Sequence, residues 1–154
     1  MKRILLTGAS GFVGSYFFKN YKKKYLIKKF SFLNDNFNEL ELNDIETIVH
    51  CSALVHQMKG AEKKDYYNVN VNQTIELAKK AKDSGVRHFI FLSTVKVYSE
   101  ESKSPYFENS PTNPKDNYSE SKLEAEKLLS RMETDNFKIS FLRSPLIYGN
   151  GVKA

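Results

Sequence analysis

A tyrosine and a lysine four residues apart, Tyr118 and Lys122, lie in the stretch NYSESKLEAE over residues 117–126. Helical spacing places both on one stripe with Ser121, Ala125, Leu128, Leu129 and Met132, whereas Glu126 is expected on the flank. A nearby ammonium favours the tyrosinate and should lower the tyrosine pKa from about 10 towards neutrality. The pair is therefore a candidate for proton transfer. The alternative is two amphipathic side chains on a surface helix.

A second candidate is the glycine-rich stretch TGASGFVG, which follows the apolar run RILLT (3–7) and opens a helical segment. Gly8, Gly11 and Gly14 would permit a tight turn, a close approach of backbone to a pyrophosphate, and helix–strand packing. The amino end of the helix would then face the phosphates. No Lys-Ser/Thr pair follows, so a Walker-type loop is excluded. We predict dinucleotide binding, against the alternative of a purely structural glycine turn.

The second strand bears on the choice between NAD and NADP. An acidic residue at its end would hold the adenosine ribose of NAD. The stretch YLIKKFSF has none there, and Asp35 comes only later. Lys28, Lys29 and Ser31 would instead suit a 2′-phosphate, so the choice stays open at this point.

Hydroxyl and amide side chains form a third group of candidates. Ser93 and Thr94 end the run HFIFLST, where a hydroxyl can hold a substrate oxygen or simply cap the strand. Asn70 and Thr74 lie on the apolar stripe of another helical segment, with Tyr67, Val71, Leu77, Ala78 and Ala81. Buried polar groups need partners, and for Asn70 the favoured role is a buried amide that bonds the backbone.

Four continuous apolar runs predict strands buried on both faces, as in a parallel sheet: 3–7, 47–52, 88–93 and 138–144. A fifth run, 24–33, is interrupted by lysines and is expected nearer an edge. Helices are predicted over 11–23, 62–85 and 116–135, with a short one over 36–43. This alternation predicts an α/β doubly wound sheet with right-handed crossovers.

The segment 99–117 is the one long loop, and it holds three of the four prolines. It follows a strand directly, at the edge where open α/β sheets bind ligands. It is interpreted as the border of an active site rather than a plain surface connection.

Composition limits the class of protein. One cysteine, Cys51, excludes an internal disulfide framework and a thiolate cluster, and no metal site is predicted. No run approaches the ~20 apolar residues of a membrane span, and no signal peptide is recognisable, so a cytoplasmic location is expected. The net charge of +6 is concentrated in KNYKKKYLIKK (19–29), which is interpreted as a solvated helix end rather than an anion-binding surface.

These motifs, in this order, resemble the extended short-chain dehydrogenase/reductase family, and more narrowly its NAD-dependent epimerase/dehydratase enzymes. TGASGFVG is similar to the family's G-x-x-G-x-x-G loop, and IVHCSALVH to its His-x-Ala-Ala stretch. NVNQTIELAKKAKDSGVRHFIFLSTVKVY resembles its Asn-Val-x-Gly-Thr helix and Ser-Ser-x-x-Val-Tyr strand. LRSPLIYGNG resembles Arg-x-Pro-x-x-Tyr-Gly, and STVKVYSE, ALVHQMK and GNGVKA are most like members that act on UDP-N-acetylhexosamines.

The resemblance implies a Rossmann-type domain with a catalytic triad of Thr94, Tyr118 and Lys122. It implies NAD or NADP as cofactor, with NAD favoured, and a sugar-nucleotide substrate that is oxidised at C4 by an epimerase or reductase. The residues that it implies at the cofactor are Gly8, Ser10, Gly11, Phe12, Val13, Gly14, Ser52, Ala53, Asn70, Tyr118, Lys122 and Pro145.

Two departures from the family pattern qualify this prediction. The segment 31–44 is short, and residues 1–154 are expected to form one dinucleotide-binding domain without most of the carboxyl-terminal substrate part. Turnover should then be poor, because binding of the nucleotide normally orients the sugar. The alternative is a non-catalytic NAD(P)-binding module or an inactive remnant. The expected partners are a second copy of the chain or a polypeptide that completes it, with no nucleic acid and no membrane.

Overall fold

The fold is built on a five-stranded, fully parallel β-sheet. The structure, a computed structural model, describes residues 1–55, 61–99 and 104–149. The strand order is β2-β1-β3-β4-β5. The bounds are β1 Arg3–Thr7, β2 Leu26–Phe30, β3 Thr47–His50, β4 His88–Thr94 and β5 Lys138–Ser144. All five predicted strands are confirmed, and only their ends differ.

The strand order reverses after β2, because β3 pairs with the opposite side of β1. The ligand crevice of an open α/β sheet lies at such a reversal, outside the carboxyl ends of the strands. Right-handed crossovers then place the first helix, α1 (Phe12–Tyr21), on one face and the later helices on the other. The glycine loop after β1 and the chain after β3 therefore meet at the reversal point, which explains the position of the site described below.

The helices of the second face are α2 (Lys63–Tyr67), α3 (Gln73–Asp83) and α4 (Asn117–Ser130). Residues Asn68–Asn72 form a π-helical segment that joins α2 to α3. The wider turn adds a residue, so the buried stripe shifts by one position. Tyr66 is consequently buried and Tyr67 is 40% exposed, which corrects the predicted place of Tyr67 on the stripe.

The sheet edge at β2 is less buried than its centre, as the interrupting lysines predicted. The helix predicted over 36–43 was wrong, because only a single 3-10 turn forms, at Phe37–Glu39. Phe30, Phe32 and Phe37 pack their rings against one another there, with centroids 5.1–6.2 Å apart. The three packed rings stabilise the short connection from β2 to β3, which contains the 3-10 turn and no further strand.

The core lies between the sheet and the face that carries α3 and α4. Phe89 and Phe91 of β4 are fully buried against Leu77 of α3 and Leu129 of α4. On the opposite face α1 packs on β1, and Leu142 of β5 stays 50% exposed. Within the described ranges, no helix is long and apolar enough to cross a membrane.

Candidate active site at the carboxyl edge of the sheet

The glycine loop has a backbone geometry that side chains would not permit. Gly8 has φ +68°, and a Cβ built on it would lie 2.7 Å from the backbone of Cys51 and Ser52. A Cβ on Gly14 would lie 2.2 Å from the carbonyl oxygen of Gly8. The loop is closed by a hydrogen bond of 3.0 Å from Gly11 N to Gly8 O. The loop after β1 is therefore pressed onto the chain after β3, and α1 onto the loop.

The amino end of α1 carries no group that competes with an anion. Gly11 is its N-cap, no side chain caps the helix, and no acidic residue lies in the first turn. The N–H groups of the first turn have no partner within a helix, and the helix dipole is positive there. The predicted cofactor residues Ser10, Phe12 and Val13 surround this end, and a pyrophosphate fits it.

The end of β2 differs from the sequence expectation. Lys28 Nζ donates to the carbonyl of Glu41, and Lys29 Nζ lies 3.7 Å from the centroid of the Phe18 ring. Both lysines are thus already engaged within the protein. The carboxylate of Asp35 folds back and accepts from Ser31 N at 2.8 Å, directly after the strand. An acidic group therefore does lie at this strand end, which corrects the expectation that none is near.

A buried chain of hydrogen bonds joins β1, β3 and α3. Its first two members, Thr7 and His50, were not among the predicted site residues. Thr7 Oγ1 accepts from Ser52 N and bonds His50 Nδ1, while His50 Nε2 bonds Thr74 Oγ1, which donates to Asn70 O. Since Thr74 donates its hydroxyl proton to Asn70 O, its oxygen must accept from His50. His50 therefore carries its proton on Nε2. Burial, with Lys122 as the lesser cause, lowers the pKa of His50 to about 3. The neutral His50 ring orients the hydroxyl of Thr7, which accepts from Ser52 N and so holds Ser52 beside the glycine loop.

Asn70 bonds the chain after β3, as the sequence analysis favoured. Its side chain accepts from Leu54 N at 2.7 Å and donates to Leu54 O at 2.9 Å. The amide also donates to Ser121 Oγ, and that hydroxyl in turn donates to the carbonyl of Tyr118. Both amide protons are thus used within the protein. Asn70 holds Leu54, next to the predicted cofactor residues Ser52 and Ala53, and joins it to α4 through Ser121. Direct contact of Asn70 with a cofactor stays a prediction.

Tyr118 is half-buried in the first turn of α4, next to the N-cap residue Asp116. Burial, and then the negative charge of Asp116, raises the pKa of Tyr118 above its usual value. The expected lowering of this pKa by Lys122 was wrong. The reason is geometric, because the Lys122 ammonium lies 3.8 Å from the centroid of the Phe91 ring and is held against the sheet.

Lys122 is only 1% exposed, as its place on the stripe predicted. Burial lowers its pKa to about 7, and the nearby charges of Cys51 and Glu126 oppose that change. Burial likewise raises the pKa of the Cys51 thiol to about 11, against the effect of Lys122. Lys122 is thus poised between its charged and neutral forms near neutral pH, at the carboxyl side of β3.

This depressed pKa predicts a pH dependence of stability. Between about pH 7 and 9 the unfolded chain holds the Lys122 proton and the folded chain releases it, so the free energy of unfolding should rise with pH. The expected rise is about 1.4 kcal/mol per pH unit at most. Above pH 9 the raised pKa of Cys51 acts in the opposite direction. Urea denaturation at several pH values measures the rise. Lys122→Met should remove it, and an unchanged slope in this variant would contradict the assignment.

Glu126 is buried and lies at the centre of an ion-pair network, which corrects its predicted place on the flank. Its carboxylate accepts from Arg143 Nε and Nη2, at 3.1 and 2.6 Å, and from the hydroxyl of Ser93. Arg143 also donates to the hydroxyl of Tyr98 and to the carbonyl of Glu108. This network ties α4 to the ends of β4 and β5 and to the loop that follows β4.

Removal of the Glu126 carboxylate should be strongly destabilising. Glu126→Ala leaves the Arg143 guanidinium and the Ser93 hydroxyl without their partner, and a loss of about 3 kcal/mol in the free energy of unfolding is expected. The matched control is Glu120→Ala, which breaks an exposed pair with Lys63 and should cost less than about 1 kcal/mol. Chemical denaturation compares the two. Equal losses would contradict a structural role of the buried pair.

Thr94 ends β4 opposite Ser144 of β5 and is 8% exposed. Its hydroxyl oxygen accepts from Lys96 N at 3.2 Å, so the strand-end cap that the sequence analysis weighed does form. This bond uses a lone pair and leaves the hydroxyl proton available for a second bond. Contact of Thr94 with a substrate stays a prediction.

A cavity of about 570 Å³ opens beside the ends of β4 and β5. The predicted cofactor residue Pro145 lines it, together with Tyr98, Phe107 and Arg143. The described part of the predicted 99–117 loop therefore borders a cavity at the carboxyl edge of the sheet. Residues 100–103, and parts of the ALVHQMK and GNGVKA stretches, lie outside the described residues.

Comparison with known proteins extends these observations. The sequence profile of the NAD dependent epimerase/dehydratase family matches residues 4–154. The UDP-glucose 4-epimerase of Vibrio cholerae is 36% identical, over 99% of this chain and 54% of that protein. The dTDP-D-glucose 4,6-dehydratase of Mus musculus is 27% identical, over 96% of this chain and 51% of that protein. The chain thus spans about half the length of the curated relatives it matches.

A solved structure gives the same result for the fold. The UDP-glucuronic acid 4-epimerase of Bacillus cereus, solved in complex with NAD, superposes with a TM-score of 0.82 at 25% identity. The match covers 96% of this chain and 57% of that one. The predicted Rossmann-type α/β fold is confirmed.

Proposed function

The chain belongs to the NAD-dependent epimerase/dehydratase family, and from that premise we propose that it binds NAD and carries the catalytic residues of a sugar-nucleotide 4-epimerase. The observation that carries the proposal is the glycine loop, whose backbone approaches Cys51 and Ser52 so closely that only glycine fits at Gly8. The 36% identity to a UDP-glucose 4-epimerase supports epimerisation over the dehydratase reaction of the less similar relative.

The residues that would hold NAD follow from the geometry of the loop and of α1. The first-turn N–H groups that follow Gly11 would bind the pyrophosphate. Ser52, which donates to Thr7, and Ala53, which precedes the Leu54 held by Asn70, would line the middle of the cofactor. Bound NAD supplies the hydride acceptor and, through its positively charged oxidised nicotinamide, a charge that favours the tyrosinate form of Tyr118.

The carboxylate of Asp35 predicts a preference for NAD over NADP. It accepts from Ser31 N at the end of β2, where it can also accept from ribose hydroxyls and would repel a 2′-phosphate. Asp35→Ala should weaken NAD binding by about tenfold, the loss of one charged hydrogen bond, and narrow the difference between the two cofactors. Calorimetric titration with both measures this. An unchanged ratio of affinities would contradict the role of Asp35.

The chain's own residues account for the proton chemistry of the proposed reaction. Tyr118 would take the proton of the sugar C4 hydroxyl while the C4 hydride leaves, and would return it after the hydride is delivered to the other face. Thr94 would donate a hydrogen bond to the same oxygen through its remaining proton. Lys122, one helical turn from Tyr118, would hold the nicotinamide ribose. Its ammonium would favour the tyrosinate only after it turns from the Phe91 ring towards Tyr118, in the charged form that a pKa of about 7 still allows.

Titration of the chain with NAD, followed by addition of UDP-glucose or UDP-N-acetylglucosamine, tests the proposal. Saturable NAD binding with interconversion of the C4 epimers would support it. A folded chain that binds no NAD would refute it. Circular dichroism establishes whether the chain is folded.

A second candidate is an NAD-binding module without turnover. The observation that favours it is the state of Tyr118, whose pKa is raised by burial and then by Asp116, while the Lys122 ammonium lies on the Phe91 ring. Binding of NAD without epimerisation of either sugar nucleotide would favour this candidate over the enzyme.

A further inference from the structure

The surface formed by the carboxyl half of α1, the turn that follows it and β2 concentrates the positive charge of the protein. Residues 1–34 contain eight basic and no acidic side chains, whereas residues 35–154 contain 16 basic and 18 acidic ones. The whole excess of +6 therefore originates in the first 34 residues. Five of these eight basic residues form the basic-aromatic surface: Lys19, Lys22, Lys23, Lys24 and Lys29, with Tyr16 and Tyr21 among them. Lys28, the neighbour of Lys29 in β2, points to the other face of the sheet and donates to Glu41 O.

Three of these lysines lie against aromatic rings rather than carboxylates. Among the residues that the structure describes, none of the ion pairs involves any of the five. Lys29 Nζ and Lys22 Nζ lie 3.7 and 5.8 Å from the centroid of the same Phe18 ring. Lys24 Nζ lies 5.5 Å from the Tyr25 ring. Like charges are thus gathered without a counter-charge, and a surface of opposite charge would relieve their repulsion.

Apolar side chains are exposed among these charges. Tyr16 and Tyr21 are 65% and 41% exposed. Lysines interleaved with tyrosines are typical of surfaces that bind the headgroup region of an anionic membrane. The rings of Phe17, Tyr21 and Tyr25 pack against one another with interplanar angles of 37° and 33°. Because these rings contact each other, they offer less open face for stacking with nucleotide bases, which favours lipid over RNA.

The topology keeps this surface away from the candidate active site. In a parallel sheet, α1 starts at the carboxyl edge and returns the chain to the amino edge before β2 begins. Lys22, Lys23 and Lys24, in the turn between α1 and β2, therefore lie at the amino edge, while the glycine loop, Thr94 and Tyr118 lie at the opposite edge. Lys29 lies further along β2 and faces Phe18 of α1. A flat partner on the basic-aromatic surface would leave the candidate site open.

We propose that the basic-aromatic surface binds peripherally to an anionic membrane surface. The expectation of no membrane partner was drawn from the lack of an apolar span, and surface binding requires none. The inference does not depend on the proposed enzymatic function, since it uses no residue of the candidate active site.

Co-sedimentation with lipid vesicles tests this inference on the full 154-residue chain. Vesicles of phosphatidylcholine alone are compared with vesicles that also contain phosphatidylglycerol. Binding should be about tenfold or more stronger to the anionic vesicles, and added salt should weaken it. The triple variant Lys19→Gln, Lys22→Gln, Lys23→Gln should lose about tenfold or more of that affinity. Tyr16→Ser should remove the binding that persists at high salt.

The matched control is the triple variant Lys64→Gln, Lys79→Gln, Lys127→Gln, which removes the same charge from exposed positions on α2, α3 and α4. It should bind anionic vesicles like the parent chain. Equal weakening of both triple variants would overturn the proposal, because net charge alone would then explain binding. Equal binding to neutral vesicles, no binding to either kind, or tighter binding to a single-stranded RNA would also overturn it. NAD titration of both variants checks that the candidate site is intact.

Discussion

Gly14→Ala is expected to abolish NAD binding and to destabilise the fold. The added Cβ would lie 2.2 Å from Gly8 O, 2.8 Å from Gly8 C and 3.1 Å from Ala9 Cα, all of them backbone atoms that cannot rotate away. Either α1 or the loop must move by about an ångström, which should lower NAD affinity by about 10²-fold or more. Overpacking of this kind should also lower the free energy of unfolding by about 1–3 kcal/mol. Calorimetry and urea denaturation measure the two effects.

Gly85→Ala is the matched control for this prediction. Gly85 has φ +79°, so alanine is strained there, but its Cβ would meet nothing within 4 Å. A destabilisation of about 1–2 kcal/mol from the backbone strain is expected, with no effect on NAD affinity. If the two variants bound NAD equally well, the close packing of the glycine loop would not be what holds the cofactor.

Tyr118→Phe is expected to lower the rate of sugar-nucleotide epimerisation by about 10²–10⁴-fold, the usual contribution of one acid–base group. The ring and its packing are kept, and only the hydroxyl that moves the proton is lost. NAD affinity should change little, since the pyrophosphate meets the glycine loop and α1. Turnover of UDP-glucose at saturating NAD, with parallel calorimetry, separates the two effects.

The control for this variant is Tyr16→Phe, which removes a hydroxyl from an exposed tyrosine in the middle of α1. It should leave both turnover and NAD affinity unchanged. Turnover that survives Tyr118→Phe at the parental rate would refute the catalytic assignment of Tyr118, whatever the affinity for NAD.

The local parts of the site were predictable because they depend on neighbours in the chain. Three glycines between an apolar strand and a helix predicted the loop after β1, and its geometry is one that only glycine permits at Gly8 and Gly14. The i, i+4 spacing of Tyr118 and Lys122 predicted one helix face, and Lys122 is buried on it. The roles of Thr94, Tyr118 and Lys122 in catalysis stay predictions.

The errors arose where distant segments meet. Glu126 was predicted on the flank of α4, but Arg143 of β5 neutralises its charge and makes its burial possible. Asp35 was not expected at the end of β2 because it follows the strand by five residues, yet the turn after the strand returns its carboxylate to Ser31. Tyr67 was predicted on the buried stripe, but Tyr66 is buried instead. The shift is caused by the π-helical segment, which no residue pattern predicted.

The sequence by itself determined the succession of the five strands and the main helices along the chain, the glycine loop, and the helix face of Tyr118 and Lys122. These features follow from periodicity and from the conformational freedom of glycine, both of which act over a few residues. Only the tertiary structure decided the partners of His50, Glu126 and Asn70, and the pKa of Tyr118 and of Lys122. Burial and charge pairing set these properties, and both arise from residues that are far apart in the chain and meet only in the folded protein.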